Sequence, residues 1–366
     1  MSAELSREQP AGTTPATDLG DDAVRVRRAG SEDSMRWNAF VDAAPGASVY
    51  HRYEWRELLE QVFRHRCHYL VAEDSHGRIV GVLPASEVSS RLFGRFIVSV
   101  PYFNYCGVLA ETDGVRNGLI DAMSTVAREA GADYIELRHR SGVDLELAAR
   151  TDKVAMELPL PESSETLFAQ FKPKLRAQIR RPSKAGARCL EGGAELLDDF
   201  YAVFSRNMRD LGTPVFPKRM FEKILELQPR TARVFVVYLD GEPAAAGLTI
   251  GYRGRVEIPV ASSLRRFNPQ AVNMLLYWTV LEAAIRDGYD VFDFGRSTVD
   301  SGPHRFKKQW GATPETLNWH YWLRDGDDLP QLNPSNPKFA LATAVWRRLP
   351  VGLANLLGPR IVRCLS

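Results

Sequence analysis

A helix, a glycine and a strand follow one another twice in this sequence, with the same spacing of charged residues. Gly131 is followed five positions later by Glu136, and Gly288 is followed five positions later by Asp293. Each glycine comes after an amphipathic helical pattern, where it is typical of a helix end, and each carboxylate stands inside an apolar strand pattern. A unit repeated at matched spacing indicates that the chain contains a duplication.

A second correspondence lies upstream in each half. Residues 68–88 predict two strands that turn at 75–77, and residues 233–252 predict two strands that turn at 240–241. Each half is therefore predicted to run as hairpin, further strand, helix and strand, which is an α+β arrangement. This order is similar to the core of the GNAT acyltransferases. We expect two tandem GNAT-like domains, each a mixed twisted sheet flanked by helices.

The length of 366 residues favours two domains. Residues 1–22 are polar and predict a disordered tail, and two prolines within 158–162 suggest a boundary near 160. The predicted domains span 23–160 and 161–328. Residues 329–366 lack acidic side chains and predict a basic, amphipathic helical tail. This tail has two interpretations, packing on the second domain or peripheral contact with the inner membrane.

The overall composition excludes several classes of protein. A net charge of +2 gives no global field that argues for nucleic acid, and the four cysteines lie far apart, as in a reducing compartment. No run of about 18 apolar residues suggests a membrane span. The seven histidines show no metal-ligand spacing, so we expect no metal. These features predict a cytoplasmic protein.

A basic stretch at 171–188 carries seven lysines and arginines and no acidic residue. On a helix, Arg176 and Arg180 share one face at i, i+4, where they can hold a pyrophosphate or a tRNA backbone. The alternative is a solvated helix face. The missing acidic partners favour binding.

Two adjacent segments, 293–298 and 302–311, combine charges with glycines and aromatic residues. Asp293 next to Arg296 suits a substrate contact or a structural ion pair. His304 suits a general base or a hydrogen-bonded structural residue. Lys307 or Lys308 can place a positive charge on an oxyanion or a phosphate.

Five short motifs of the second half lie at 207–214, 261–263, 273–278, 293–297 and 305–311. Together they resemble the FemAB-related proteins of the exosortase and PEP-CTERM system. In the first half, residues 101–107 are similar to the family's pattern of a proline, an aromatic residue, a polar residue and Tyr-Gly-Gly, with Cys106 in place of the first glycine.

This resemblance implies transfer of an acyl or aminoacyl group to an amine or hydroxyl of a cell-envelope or exopolysaccharide precursor. The nucleophile attacks the donor carbonyl directly, without a covalent enzyme intermediate. The Phe-Lys of the Fem motif falls on Phe306 and Lys307, so Lys307 is the expected stabiliser of transition-state charge, with Asp293 and His304 as further catalytic candidates. The candidate substrate-binding residues are Arg176, Arg180, Tyr105, Asn273, Tyr277, Arg296, Ser297, Arg305, Lys308 and Trp310.

The donor is expected to be a co-substrate, either aminoacyl-tRNA or acyl-CoA, with no permanently bound cofactor. The glycine-rich pyrophosphate loop of acyl-CoA enzymes has no counterpart at 265–273, and the helical arm of peptidoglycan-type Fem proteins is not found either. The expected partners are a phosphorylated or lipid-linked envelope precursor and tRNA as one candidate donor. Two alternatives stay open, an acyl-CoA-dependent N-acyltransferase acting on a small amine and a non-catalytic scaffold.

Overall fold

The computed structural model describes residues 24–90, 94–140, 142–326, 329–330 and 337–365. The predicted tail at 1–22 lies outside them. The strands are β1 (Arg25–Arg28), β2 (Arg66–Glu73), β3 (Ile79–Ser90), β4 (Gly94–Val98), β5 (Leu109–Ala110), β6 (Tyr134–His139), β7 (Ala148–Arg150), β8 (Lys153–Pro159), β9 (Arg188–Gly192), β10 (Ala232–Leu239), β11 (Glu242–Tyr252), β12 (Arg255–Ser263), β13 (Val291–Thr298), β14 (Thr313–Thr316) and β15 (Asn318–Leu323). The helices are α1 (Ser34–Ala43), α2 (Trp55–Gln61), α3 (Asp113–Ala130), α4 (Ser164–Gln170), α5 (Pro173–Lys184), α6 (Leu197–Leu211), α7 (Lys218–Leu227), α8 (Val272–Arg286), α9 (Gly302–Lys308), α10 (Pro337–Trp346) and α11 (Val351–Val362).

Two mixed sheets share one strand order. The first runs β1-β2-β3-β4-β6-β15-β7, with β5 paired to β3, and the second runs β9-β10-β11-β12-β13-β8-β14. Each sheet has one central parallel pair, β4 with β6 and β12 with β13, and its other neighbours are antiparallel. Helices α3 and α8 connect the parallel strands. The predicted α+β duplication is therefore confirmed.

The two halves exchange one strand each. The sixth position of the first sheet is filled by β15, from the end of the second half, and the sixth position of the second sheet is filled by β8, from the first half. No single cut in the chain therefore separates the two sheets, because β8 precedes residue 160 and β15 follows it. The domain boundaries predicted from the sequence stay predictions.

The two glycines of the repeat end their helices as predicted. Helix α3 begins at its N-cap Thr112, whose hydroxyl accepts from the backbone N–H of Val115, and ends at Gly131 with φ of +66°. Gly288, just beyond α8, has φ of +77°. Glycine takes this left-handed conformation without the steric cost of a Cβ atom.

The second sheet is covered on both faces. On one face, α5 and α8 pack against Phe292 and Phe294 of β13. On the other face, α6 and α7 share a core with first-half residues such as Trp55 and Phe103. This core includes side chains from both halves, so polar groups buried in their interface need partners.

The C-terminal tail forms α10 and α11. Helix α11 packs on α6, with Ala354 and Val362 buried and Gly358 close to Val215. Leu353 and Leu356 of α11 are exposed. One face of the tail is thus packed on the second half, whereas membrane contact stays a prediction. Within the described residues no helix is both long enough and apolar enough to cross a membrane.

Candidate active site

The segment 99–107 leaves the first sheet after β4 and enters the interface between the halves. Val100 and Tyr102 have φ of +53° and +76°, a conformation that is uncommon outside glycine. The ring of Phe103 stacks on Tyr50 with centroids 4.3 Å apart. The buried Arg138 guanidinium donates to the Phe103 carbonyl at 2.7 Å. These contacts compensate for the unusual backbone and hold the segment against the second half.

Glu257 of β12 lies at this interface and is 6% exposed. Its carboxylate accepts hydrogen bonds from the Tyr50 hydroxyl and the Asn104 amide, both at 2.8 Å. Both donors come from the first half. Among the described residues no ion pair is made by Glu257, so its direct hydrogen-bond partners are neutral donors.

Asp293 of β13 lies directly opposite Glu257 in the parallel pair. It is 1% exposed and accepts from the backbone N–H of Gly295 at 2.7 Å and from the Tyr105 hydroxyl at 3.3 Å. The Arg140 guanidinium lies 3.3 Å from its other oxygen. Asp293 and Tyr105 were both site candidates from the sequence. They thus contact each other across the interface, one from each half.

Arg140 connects three carboxylates of the interface. It pairs with Glu157 of β8 and with Glu315 of β14 as well as with Asp293. Its guanidinium also lies 4.4 Å from the centre of the Tyr105 ring, in cation–π geometry. Arg140 therefore holds three carboxylates from three neighbouring strands in a partly buried network.

A cavity of about 440 Å³ opens beside this network. Its lining comes from both halves and includes Ser48, Tyr50, Tyr105, Arg140, Glu157, Arg253, Arg255, Glu257, Asp293 and Glu315. The pairing of β12 with β13 ends at Glu257 and Asp293, although β12 continues to Ser263. The cavity and the separating strands therefore meet at the two carboxylates.

Burial changes the acidity of both carboxyls. Burial, together with the nearby charge of Asp293, raises the pKa of Glu257 to about 7. It also raises the pKa of Asp293 to about 6, against the opposing effect of Arg140. A carboxyl that titrates near neutral pH inside a cavity is suited to accept a proton from a substrate.

Lys307 is buried beside Asp293 rather than in the cavity lining. Its ammonium donates to the backbone carbonyls of Gly295 and Arg296, each at 2.9 Å. These carbonyls belong to a bulge in β13, where Gly295 has φ of +74° and the register with β8 shifts. Burial lowers the pKa of Lys307 to about 8. The geometry gives Lys307 a structural contact at the bulge, and its catalytic role stays a prediction.

The other residues predicted on α9 lie away from the cavity. The His304 ring accepts from the backbone N–H of Asp300 at 3.3 Å, and Arg305 donates to the Asp300 carbonyl at 2.7 Å. Both contacts stabilise the turn before α9, which corresponds to the structural interpretation of His304. Lys308 is exposed.

The Asp293–Arg296 ion pair considered from the sequence is not formed. Asp293 pairs with Arg140, and the Arg296 guanidinium lies 4.6 Å above the Trp319 ring. Arg138 lies over the same ring at 4.5 Å. The Arg296 side chain thus contacts Trp319 of β15 and not Asp293.

An aromatic group lies next to the bulge on the α8 side. Tyr277 packs against Phe294 at 5.6 Å and Trp310 at 6.1 Å. The Ser297 hydroxyl and the Trp310 indole N–H are buried without a hydrogen-bond partner among the described residues. Asn273 is half-buried near the start of α8. None of these four predicted residues is in the lining of the carboxylate cavity.

The two arginines that the sequence singled out in the basic stretch also lie away from the carboxylate cavity. Arg176 and Arg180 of α5 line a separate groove with α4 and α8. The structure therefore brings together Tyr105 and Asp293 from the predicted set and leaves the arginines apart. The sequence interpretation missed Glu257 and Glu157, although both are carboxylates in apolar strands, the same signal that identified Asp293.

The loop before α8 is the position at which acyl-CoA enzymes of this fold would bind the pyrophosphate. Residues 265–270 form a short 3-10 turn, and Ala271 has φ of +57°. Arg265 donates to the Asp210 carbonyl at 3.0 Å, and Arg266 pairs with Glu242. Both arginine side chains are engaged within the protein, and residues 265–271 contain no glycine. No cluster of three metal-ligating side chains occurs among the described residues.

The raised pKa of Glu257 predicts how stability depends on pH. A carboxyl with a folded pKa near 7 stabilises the fold below its unfolded pKa, and this contribution is lost as pH rises through about 7. Glu257→Gln removes the buried charge but retains its two hydrogen bonds, because the Tyr50 hydroxyl can accept instead of donate. We expect the variant to be more stable than the wild type at pH 8 by about 2 kcal/mol and to lose that advantage at pH 5.

Chemical denaturation at pH 5 and pH 8 measures this difference. Glu136→Gln is the control, since Glu136 is a buried carboxylate of the first sheet that is paired with Arg138 at 2.7 Å. The control is expected to show no gain at pH 8. An equal gain in both variants would contradict the assignment to Glu257.

Comparison with known proteins agrees with the duplicated architecture. Residues 169–308 match the family described as Acetyltransferase (GNAT) domain. No curated protein sequence matches the chain. The match lies in the second half of the chain and includes Glu257, Asp293 and Lys307.

Solved structures show the same fold over most of the chain. FemX has a TM-score of 0.59 at 14% identity, over 80% of this chain and 96% of FemX. L-PGS from Bacillus licheniformis has 0.54 at 13%, over 87% and 98% of the respective chains. A tandem GNAT protein from the clavulanic acid biosynthesis pathway has 0.53 at 11%, over 83% and 100%. The two sheets are therefore a tandem GNAT fold, and identities this low show the fold alone.

Proposed function

We propose that this protein is a Fem-like transferase that moves an acyl or aminoacyl group to an amine or hydroxyl of a cell-envelope or exopolysaccharide precursor. One observation carries the proposal, namely the buried carboxylates Glu257 and Asp293 in a cavity built by both halves. The similarity to FemX supports this reaction class. The acceptor is proposed to be phosphorylated or lipid-linked.

In the proposed reaction, Glu257 takes the proton of the acceptor as its nitrogen or oxygen attacks the donor carbonyl carbon. The bond from that carbon to the donor's carrier then breaks, and the carrier leaves with the electron pair. Glu257 suits this step because it has no cationic partner among the described residues and its pKa lies near neutrality. Asp293 and Arg140 position the network around it. We place the donor in the gap where β12 separates from β13, since backbone N–H groups there can stabilise the oxyanion.

The donor is proposed to be aminoacyl-tRNA or acyl-CoA. The engaged arginines and the missing glycines of the 265–271 loop favour a donor without a CoA pyrophosphate. A neighbour named as a putative lysylphosphatidylglycerol synthetase from Agrobacterium fabrum, whose C-terminal domain has a TM-score of 0.55, favours an aminoacyl group. The proposed location is the cytoplasm, with the exposed leucines of α11 as a peripheral contact to the inner membrane.

Mass spectrometry of envelope material tests the proposal. Exopolysaccharide and lipid-linked precursors from a strain that lacks the protein are compared with those from the parent strain. We expect one species to lose the mass of an acyl or aminoacyl group, and complementation with the wild-type chain to restore it. Complementation with Glu257→Gln is expected to fail. Identical profiles with and without the protein, or full restoration by the variant, would reject the proposed reaction.

A further inference from the structure

A groove of about 700 Å³ lies between α4, α5 and α8. Its floor is apolar and is formed by Phe168, Ile179, Leu275 and Trp278. The rings of Phe168 and Trp278 meet edge to face at 5.1 Å. This groove is on the outer side of α8, whereas Glu257 and Asp293 face the first half from the other side of the sheet. It is therefore a site separate from the carboxylate cavity.

One rim of the groove is cationic. Arg176, Arg180 and Lys184 line it from successive turns of α5, with a rise of about 6 Å between neighbours. Among the described residues, none of the seven cations between 172 and 188 forms an ion pair. The Arg180 guanidinium instead lies 4.9 Å from the centre of the Phe168 ring, at the border between rim and floor.

The groove also contains two carboxyls, which limit what it can hold. Glu165 and Glu282 line it together with the cations. Burial and the charge of Glu165 raise the pKa of Glu282. A polyanion that followed the groove would bring phosphates against these carboxyls. A single phosphate at the rim, followed by an aliphatic chain on the floor, avoids that repulsion and covers the exposed aromatic surface.

We propose that this groove binds the phosphate end of a single lipid, with the phosphate at Arg176, Arg180 and Lys184 and the hydrocarbon chain on the Phe168–Trp278 floor. The proposal goes beyond the transfer reaction and does not depend on it. It names a lipid molecule rather than a nucleic acid as the ligand of the basic stretch. Such a site places the protein next to lipid-linked material independently of α11.

Calorimetry with the full chain and dodecyl phosphate tests the proposal. Inorganic phosphate and dodecyl maltoside serve as probes for each end alone. We expect dodecyl phosphate to bind at least about tenfold more tightly than either probe, since charged hydrogen bonds and apolar burial then act together. Inorganic phosphate binding as tightly as dodecyl phosphate would overturn the proposal, because the floor would then contribute nothing.

Matched variants locate the site. Arg176→Ala combined with Arg180→Ala is expected to weaken dodecyl phosphate binding about tenfold or more. Arg181→Ala combined with Arg188→Ala removes the same charge from exposed residues outside the groove and is expected to change binding less than about twofold. An equal loss in both pairs would overturn the proposal in favour of diffuse attraction to polyanions such as nucleic acid.

A further variant tests the lining of the groove next to the apolar floor. Ala169 is exposed and lines the groove, so Ala169→Asp adds a carboxylate to the site without disturbing the core. We expect it to weaken dodecyl phosphate binding about tenfold, through repulsion and lost apolar contact. Circular dichroism verifies that each variant is folded. Unchanged binding in this variant and in the Arg176 and Arg180 pair would overturn the proposal.

Discussion

Glu257→Gln is expected to reduce the rate of acyl transfer by about 10²–10⁴-fold, which is the usual contribution of a general base. The variant keeps the shape and the hydrogen bonds of the side chain but cannot accept the proton of the nucleophile. The rate is measured with purified protein and the acceptor identified by mass comparison. Raising the pH of the assay is expected to recover part of the loss, because the acceptor then enters already deprotonated.

A buried carboxylate of the first half, Glu136, serves as the control. Glu136 ends the parallel pair of the first sheet as Glu257 ends that of the second, but it is bonded to Arg138 and Tyr321 and is not in the cavity lining. Glu136→Gln is expected to retain the rate per folded molecule. Similar rates for wild type and Glu257→Gln would exclude Glu257 as the base.

Arg140→Met is expected to lower the free energy of unfolding by about 3–5 kcal/mol at pH 8, as when one partner of a buried ion pair is removed. The substitution leaves Asp293, Glu157 and Glu315 without their shared cation. The loss is expected to shrink as the pH falls through about 6, because Asp293 then takes up a proton and no longer needs a cation.

Denaturant titrations at pH 8 and pH 5 measure this loss. Arg78→Met is the matched control, since Arg78 also joins two carboxylates, Asp74 and Glu111, but its side chain is 61% exposed. Solvent screens such a pair, and the control is expected to show a free energy of unfolding close to that of the wild type. If Arg140→Met were as stable as wild type at pH 8, the network would not hold the interface together.

The repeat shows which features of the fold could be predicted from the sequence. A glycine after an amphipathic helix and an apolar strand beyond it are local signals, so they predicted both halves and the positions of Glu136 and Asp293. The exchange of β8 and β15 was not predicted. Which sheet a strand joins depends on pairing with segments far away in the chain, and the pattern of either strand is compatible with both sheets.

The candidate site, like the fold, could be predicted from the sequence only in part. A charged residue in an apolar strand singled out Asp293, and the aromatic motif at 101–107 singled out Tyr105. Lys307 was expected at the reacting carbonyl, but the ammonium is held by two carbonyls of the Gly295 bulge. A bulge is a distortion of pairing between strands, so its effect on a side chain fourteen positions from Asp293 is not visible in the sequence.

Local periodicity and helix-ending glycines were thus sufficient for the α+β class, the duplication and one carboxylate of the pair. The partners of that carboxylate, the cavity around it and the groove on α8 required the folded chain. Tyr50 and Asp293, at the ends of this group in the sequence, are 243 positions apart. Only the packing of one half against the other brings Tyr50 to Glu257 and Arg140 to Asp293. Burial in that interface also moves the pKa of Glu257 toward neutrality, and no pattern along the chain encodes how deeply a residue is buried.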